Sequence, residues 1–185
     1  DERIVGVSFT GSHPSARVIN RQLALRDGPI IPFIAETGGV NCMLVDSTAL
    51  PEQVVDDVIT SAFRSAGQRC SALRVLFVQS DVADGVIKLL SGAMKELKVG
   101  DPHKLSTDVG PVIDQAAHDR ISAHLTHLEE TATFITKSPS PDPELLGYFV
   151  EPQAWEISSL SALQEEVFGP ILHIVRYHSE ELDTV

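Results

Sequence analysis

Gly67-Gln68-Arg69-Cys70-Ser71-Ala72 stands between Val54, Val55, Val58, Ile59, Ala62 and Phe63, which recur at helical spacing, and the apolar run Leu73 to Val78, interrupted only by Arg74. A helix period on one side and a continuous apolar run on the other make this a helix-turn-strand connection, a repeating piece of α/β domains. A cysteine in such a turn is either a small buried hydrophobe or a nucleophile. Its neighbours favour the nucleophile: Arg69 is a permanent positive charge beside it, and the backbone N–H groups of the glycine-started turn face whatever lies above the sulfur.

Outward from this turn, Glu36 lies 34 residues upstream and opens Glu36-Thr37-Gly38-Gly39. Ile30 to Ala35 and Asn41 to Val45 are too short and apolar for helices and read as buried strands flanking the Gly38-Gly39 turn, with Glu36 at a strand end. A carboxylate there can act as a base across a cleft; a solvated loop carboxylate is the plain alternative. Ile4 to Thr10 reads as a strand running into Gly11-Ser12, and Ser12 caps a helix over about 14–25. A strand, turn and helix start of this kind offers free N–H groups to an anion, although an ordinary capped helix explains the same residues.

Pro51 is suited to the first turn of the helix that leads to Cys70. Further helices are expected over 81–97 and about 115–131, and strands over about 147–157 and 171–177, bracketing Gln164-Glu165-Glu166-Val167-Phe168-Gly169-Pro170. Lys137 to Pro143 reads as loop. His118, His124 and His127 on the 115–131 helix have no acidic or cysteine partner at ligand spacing and read as exposed, so no metal is expected. Alternating strands and helices imply a three-layer α/β domain with a mostly parallel sheet.

The 185 residues are 43% hydrophobic and 22% charged, the balance of an ordinary globular chain with a sizeable core. A net charge of −12 argues against a nucleic-acid partner. No apolar run approaches the roughly 18 residues of a membrane span. Two cysteines, Cys42 and Cys70, without paired spacing argue against a disulfide framework and for a reducing compartment. The chain starts at Asp1 and stops after an acidic stretch, and it reads as a piece of something longer.

Phe9-Thr10-Gly11-Ser12, Glu36-Thr37-Gly38-Gly39-Val40-Asn41, Gly67-Gln68-Arg69-Cys70, Gly110-Pro111 and Glu165-Glu166-Val167-Phe168-Gly169-Pro170 occur in the order and spacing of aldehyde dehydrogenases. Over essentially its whole length the chain resembles that family. Ile34 to Gly39 and Ser61 to Val75 look like the L-glutamate γ-semialdehyde (1-pyrroline-5-carboxylate) dehydrogenase domains of bifunctional bacterial proline-utilisation enzymes.

The resemblance implies an aldehyde-dehydrogenase-like fold, with 1–34 the end of an NAD-binding domain and 35–185 a truncated catalytic domain. It implies NAD-dependent oxidation of glutamate semialdehyde to glutamate in proline catabolism, with Cys70 as nucleophile and Glu36 activating water. It assigns Thr10, Gly11, Ser12, Glu166 and Phe168 to NAD: Ser12 near the pyrophosphate, Glu166 on the nicotinamide ribose, Phe168 packed on the cofactor; from the residues alone, Glu165-Glu166 reads as a charged surface turn before Gly169-Pro170. Arg69 and Ser71 are candidates to hold the substrate carboxylate, with Arg69 as a mere brace of its loop the alternative. Phe63 is a candidate to line the aldehyde pocket, and most simply a core residue. FAD is expected only in a separate proline dehydrogenase domain of the parent protein. The parent is expected to be a cytoplasmic homo-oligomer, or peripheral at the inner membrane, while the 185 residues alone are expected to be inactive. An aldehyde dehydrogenase of another substrate class and a non-catalytic assembly module are the alternatives.

Overall fold

The computed structural model describes all 185 residues, which divide by their internal contacts into Asp1–Gly39 and Val40–Val185. In the first unit, β1 (Val7–Thr10) and β2 (Phe33–Glu36) pair in parallel, Val7 opposite Phe33 and Thr10 opposite Glu36. Parallel neighbours need a crossover, and α1 (His13–Ala24) supplies it. Ser12 starts that helix by accepting the Ser15 N–H at 3.3 Å, and a proline fills the first turn, where no N–H partner is needed.

The second unit is built on a five-stranded sheet of order β3-β4-β7-β6-β5: β3 (Cys42–Val45), β4 (Val75–Gln79), β7 (Ile171–Tyr177), β6 (Gln153–Glu156) and β5 (Thr133–Lys137). The first four are parallel and β5 runs antiparallel to β6, so the domain is α/β with a mostly parallel sheet. Central β4 and β7 are buried at nearly every position, as covering both faces requires.

Three helices surround this sheet. α2 (Pro51–Val58) buries Val54, Val55 and Val58. α3 (Ser80–Glu96) packs against α2, β4, β5 and β7 through Ala83, Val86, Leu90 and Met94, with Asp81 at its positive end and Lys95 at its negative end. α4 (Gln115–Thr131) is capped by Asp114, whose carboxylate accepts the Ala117 N–H at 2.7 Å.

Three expectations need correction. The strands flanking Gly38-Gly39 are not buried throughout: Ile34 to Glu36 are exposed, and β3 alternates, with Cys42 and Leu44 exposed while Val45 is in the core. β2 has only β1 beside it and β3 is a sheet edge, so apolar composition there does not mean cover on both faces. β5 occupies residues where no strand was expected, although its Thr, Phe and Ile content suits a strand. His118 and His124 are half-buried rather than exposed.

Candidate active site

The chain leaves α2 without a clean helix end. The last turns widen into a π-helical segment, Ile59–Phe63, and then tighten over Arg64–Gly67. Ser65, Ala66 and Gly67 follow one another at φ 59°, 52° and 65°. Left-handed backbone costs a residue with a Cβ on the order of 1 kcal/mol, so Ser65 and Ala66 are strained immediately before the cysteine turn. Gly67 is required twice over: its φ suits glycine, and a Cβ would overlap the backbone of Gly169.

Four side chains hold this strained turn. Asn41 Nδ2 donates to the carbonyls of Cys70 at 2.7 Å and Ala72 at 3.0 Å. Gln68 accepts the Ile113 N–H at 2.9 Å through Oε1 and donates to Pro111 O at 3.3 Å, joining the turn to the Gly110-Pro111 loop. Arg69 Nη2 donates to Thr60 O at 2.8 Å and Ser61 O at 3.3 Å, tying the turn back to the π segment. Arg69 Nε is buried without a partner. Arg74 is the fourth. Cys70 itself is exposed, with a free thiol, and Ser71 beside it is exposed. The result is an accessible sulfur on a braced support, the requirement for a nucleophile.

Arg74 is 1% exposed and donates five hydrogen bonds, matching the five N–H groups of a guanidinium. Nη1 reaches Gly67 O at 2.7 Å and Gly169 O at 3.3 Å; Nη2 reaches Arg69 O at 3.1 Å and Glu166 Oε1 at 2.8 Å; Nε reaches the same Oε1 at 3.1 Å. The Phe168 ring lies 5.2 Å from the guanidinium carbon, within cation–π range. Glu166 faces a cavity of about 700 Å³, walled by Arg120, His124 and His127 of α4 on one side and the segment around Phe168 on the other. Behind this wall, burial pushes the His173 imidazole down to a pKa of about 4, and within it burial, then the His127 charge, lowers that of His124.

In the first unit, the C-terminal ends of β1 and β2 bring together Thr10, Gly11, Ser12 and Glu36. The Gly11 N–H donates to Glu36 O at 3.1 Å, and the Glu36 side chain is exposed. Ser12 Oγ is engaged with Ser15 Oγ at 2.9 Å as well as the Ser15 N–H, and it remains exposed at the helix start.

The structure thus assembles the candidates in two groups: Thr10, Gly11, Ser12 and Glu36 in one unit, and Arg69, Cys70, Ser71, Glu166 and Phe168, joined by Arg74, in the other. Phe63 lies apart. It is 0% exposed within the core and offers no surface to a substrate. Arg74 carried a sequence signal, a charge inside an apolar strand, but its role did not follow from that. Asn41, Gln68 and His173 carried no signal that separated them from ordinary polar residues.

Comparison with known proteins extends this geometry. Residues 1–182 match the aldehyde dehydrogenase family. The chain is 48% identical over 191 residues to the bifunctional protein PutA of Klebsiella aerogenes, covering 99% of the chain and 15% of the relative. It is 34% identical over 171 residues to a 1-pyrroline-5-carboxylate dehydrogenase of Geobacillus sp. (strain WCH70), covering 90% of the chain and 33% of the relative. A crystal structure of a Bradyrhizobium japonicum proline utilization A (PutA) mutant superimposes with a TM-score of 0.93 at 56% identity, over 100% of this chain and 19% of that one. Apo betaine aldehyde dehydrogenase from Staphylococcus aureus superimposes with a TM-score of 0.88 at 29% identity, over 97% of this chain and 36% of that one. The chain therefore spans about a sixth of the PutA relative's length and about a third of the pyrroline-carboxylate dehydrogenase's.

Proposed function

The chain belongs to the aldehyde dehydrogenase family, and from that premise we propose that the full-length protein oxidises L-glutamate γ-semialdehyde, formed from 1-pyrroline-5-carboxylate, to L-glutamate with NAD⁺. The observation that carries this reading is the exposed Cys70 thiol on a turn held by Asn41, Gln68, Arg69 and Arg74. The substrate assignment is supported by the names of the PutA and 1-pyrroline-5-carboxylate dehydrogenase relatives.

The chemistry proceeds on Cys70. As the thiolate, its sulfur attacks the aldehyde carbon, a C–S bond forms as the carbonyl π bond breaks, and the carbonyl oxygen takes up negative charge. The Cys70 backbone N–H is suited to meet that oxyanion, and such a donor contributes about 3 kcal/mol to the transition state. NAD⁺, when bound, would supply the acceptor for the hydride lost by the carbon, which would leave a thioester on Cys70. Glu36 takes a proton from water, the resulting oxygen adds to the thioester carbon, and the C–S bond breaks to release glutamate and the thiolate.

Each unit has groups suited to part of a dinucleotide: in the second, Arg74 holds Glu166 Oε1 and leaves Oε2 to accept, with Phe168 half exposed near Arg74; in the first, Thr10, Gly11 and Ser12 lie at a helix start. A carboxylate oxygen accepting sugar hydroxyls makes charge-assisted hydrogen bonds. In this reading Ser71 lies at the substrate end, and the enzyme is a cytoplasmic homo-oligomer. The free thiols Cys42 and Cys70 agree with a reducing compartment. In this reading the 185 residues alone, about a sixth of the PutA relative's length, yield little NADH.

A second reading, an aldehyde dehydrogenase of another substrate class, is favoured by the Arg69 guanidinium, whose bonds to Thr60 and Ser61 divert it from a substrate carboxylate. One experiment separates the two: NADH formation by the full-length protein and its Cys70→Ser variant, with glutamate semialdehyde and with short aliphatic aldehydes. A semialdehyde preference abolished by the substitution supports the first reading. Equal rates on all aldehydes favour the second, and activity surviving Cys70→Ser removes both.

A further inference from the structure

We propose that Arg74 is a positioning residue that locks the cofactor-facing loop to the nucleophile turn, so that Glu166 and Cys70 are set by a single buried guanidinium. The inference rests on the reading of Glu166 as a cofactor ligand and names a residue that reading does not contain.

Each of the five donors of Arg74 has an acceptor, and the acceptors come from two stretches far apart in sequence. Gly67 O and Arg69 O belong to the turn that presents Cys70, while Gly169 O and Glu166 Oε1 belong to the segment beside the cavity. Because a guanidinium is planar and rigid, its donors cannot be re-aimed independently. Moving one stretch therefore strains the bonds to the other.

Glu166 is bound asymmetrically. Both donations from Arg74 converge on Oε1, so Oε2 takes no bond from Arg74, and Glu166 lines the cavity. Fixing one oxygen removes rotational freedom from the carboxylate before any ligand arrives, which is how a preorganised acceptor gains affinity. The stretches also touch directly, since a Cβ on Gly67 would overlap Gly169. Arg74 sits where they meet. A lysine there keeps the charge but reaches acceptors as a point donor, without the fork.

The test uses the full-length protein with Arg74→Lys, Glu166→Gln and the double variant. We read KM for NAD⁺, KM for the aldehyde, and hydrogen exchange of the peptide covering residues 67–72 without cofactor. Arg74→Lys is expected to raise KM for NAD⁺ about ten-fold or more, with a smaller change in KM for the aldehyde. The double variant is expected to be no worse than the poorer single variant by more than about two-fold, because both changes remove one interaction. Multiplying effects, or an unchanged KM for NAD⁺ in folded Arg74→Lys, overturn the proposal.

Should Arg74→Lys not fold, Glu166→Gln decides. Its site is on the cofactor-facing segment, and the proposal requires faster exchange at 67–72 on the other stretch. Exchange altered only around 164–170 overturns it. This arm needs no activity, so its outcome is separate from that of the Cys70→Ser kinetics, which judge the aldehyde dehydrogenase reading itself.

Discussion

The Nε2 atoms of His124 on α4 and His173 on β7 lie 2.8 Å apart, and His173 Nδ1 lies 3.0 Å from the Arg74 carbonyl oxygen. A carbonyl only accepts, so Nδ1 of His173 carries its proton and its Nε2 is a bare lone pair. His124 then donates through Nε2. His173 is therefore neutral in this pair, and protonating it would set two donors against each other.

This pair makes stability pH-dependent with a defined sign. His173 titrates near 6.5 when unfolded and at about 4 when folded. Between those values the unfolded chain binds more protons, so stability is complete above pH 6.5 and is lost as pH falls toward 4. The loss from His173 alone is on the order of 3 kcal/mol at full extent. Urea midpoints at pH 7.5, 5.5 and 4.5 should fall for the wild type and fall less for His173→Gln; parallel declines would contradict the assignment.

Gly67→Ala should destabilise the protein by about 2 kcal/mol or more, because it adds left-handed strain and a collision with Gly169. Ser65→Gly, two residues earlier, relieves strain at an exposed site and should leave stability unchanged or raise it by up to about 1 kcal/mol. Denaturant titration of both variants checks the contrast. A Gly67→Ala protein as stable as the wild type would mean that the turn relaxes freely.

Arg69→Ala should lower kcat/KM by the same factor for glutamate semialdehyde and for propanal, since its guanidinium holds the carbonyls of Thr60 and Ser61. Steady-state kinetics with both aldehydes decide this. A loss confined to the semialdehyde would show that the side chain also reaches the substrate carboxylate.

Asn41→Ala removes both bonds from Nδ2 to the Cys70 and Ala72 carbonyls, at a cost of about 1–2 kcal/mol. The expected signature is a lower kcat with KM for NAD⁺ nearly unchanged, because the loosened segment is the turn that carries Cys70, the proposed nucleophile. A change confined to KM for NAD⁺ would place the influence of Asn41 elsewhere.

What the sequence determined by itself was local. The 3.6-residue periodicity that predicts α4 over about 115–131 appears as Gln115–Thr131, because apolar spacing and the Asp114 cap are properties of neighbouring residues. Ser12 as a helix cap and Pro51 in a first turn belong to the same class. Cys70 stood out because its turn, its glycine and the flanking helix and strand lie within a few residues of one another. The tertiary structure alone decided what depends on distant partners. Composition cannot tell that β2 and one face of β3 are exposed, since cover comes from other elements. Arg69 was a charge beside a thiol until Thr60 and Ser61 took its guanidinium. Phe63 was a pocket candidate until the core closed over it. Arg74 was an odd cation in an apolar strand, and its meaning lies in Glu166 and Gly169, more than ninety residues away, because a buried charge is tolerated only where the fold brings its acceptors to it.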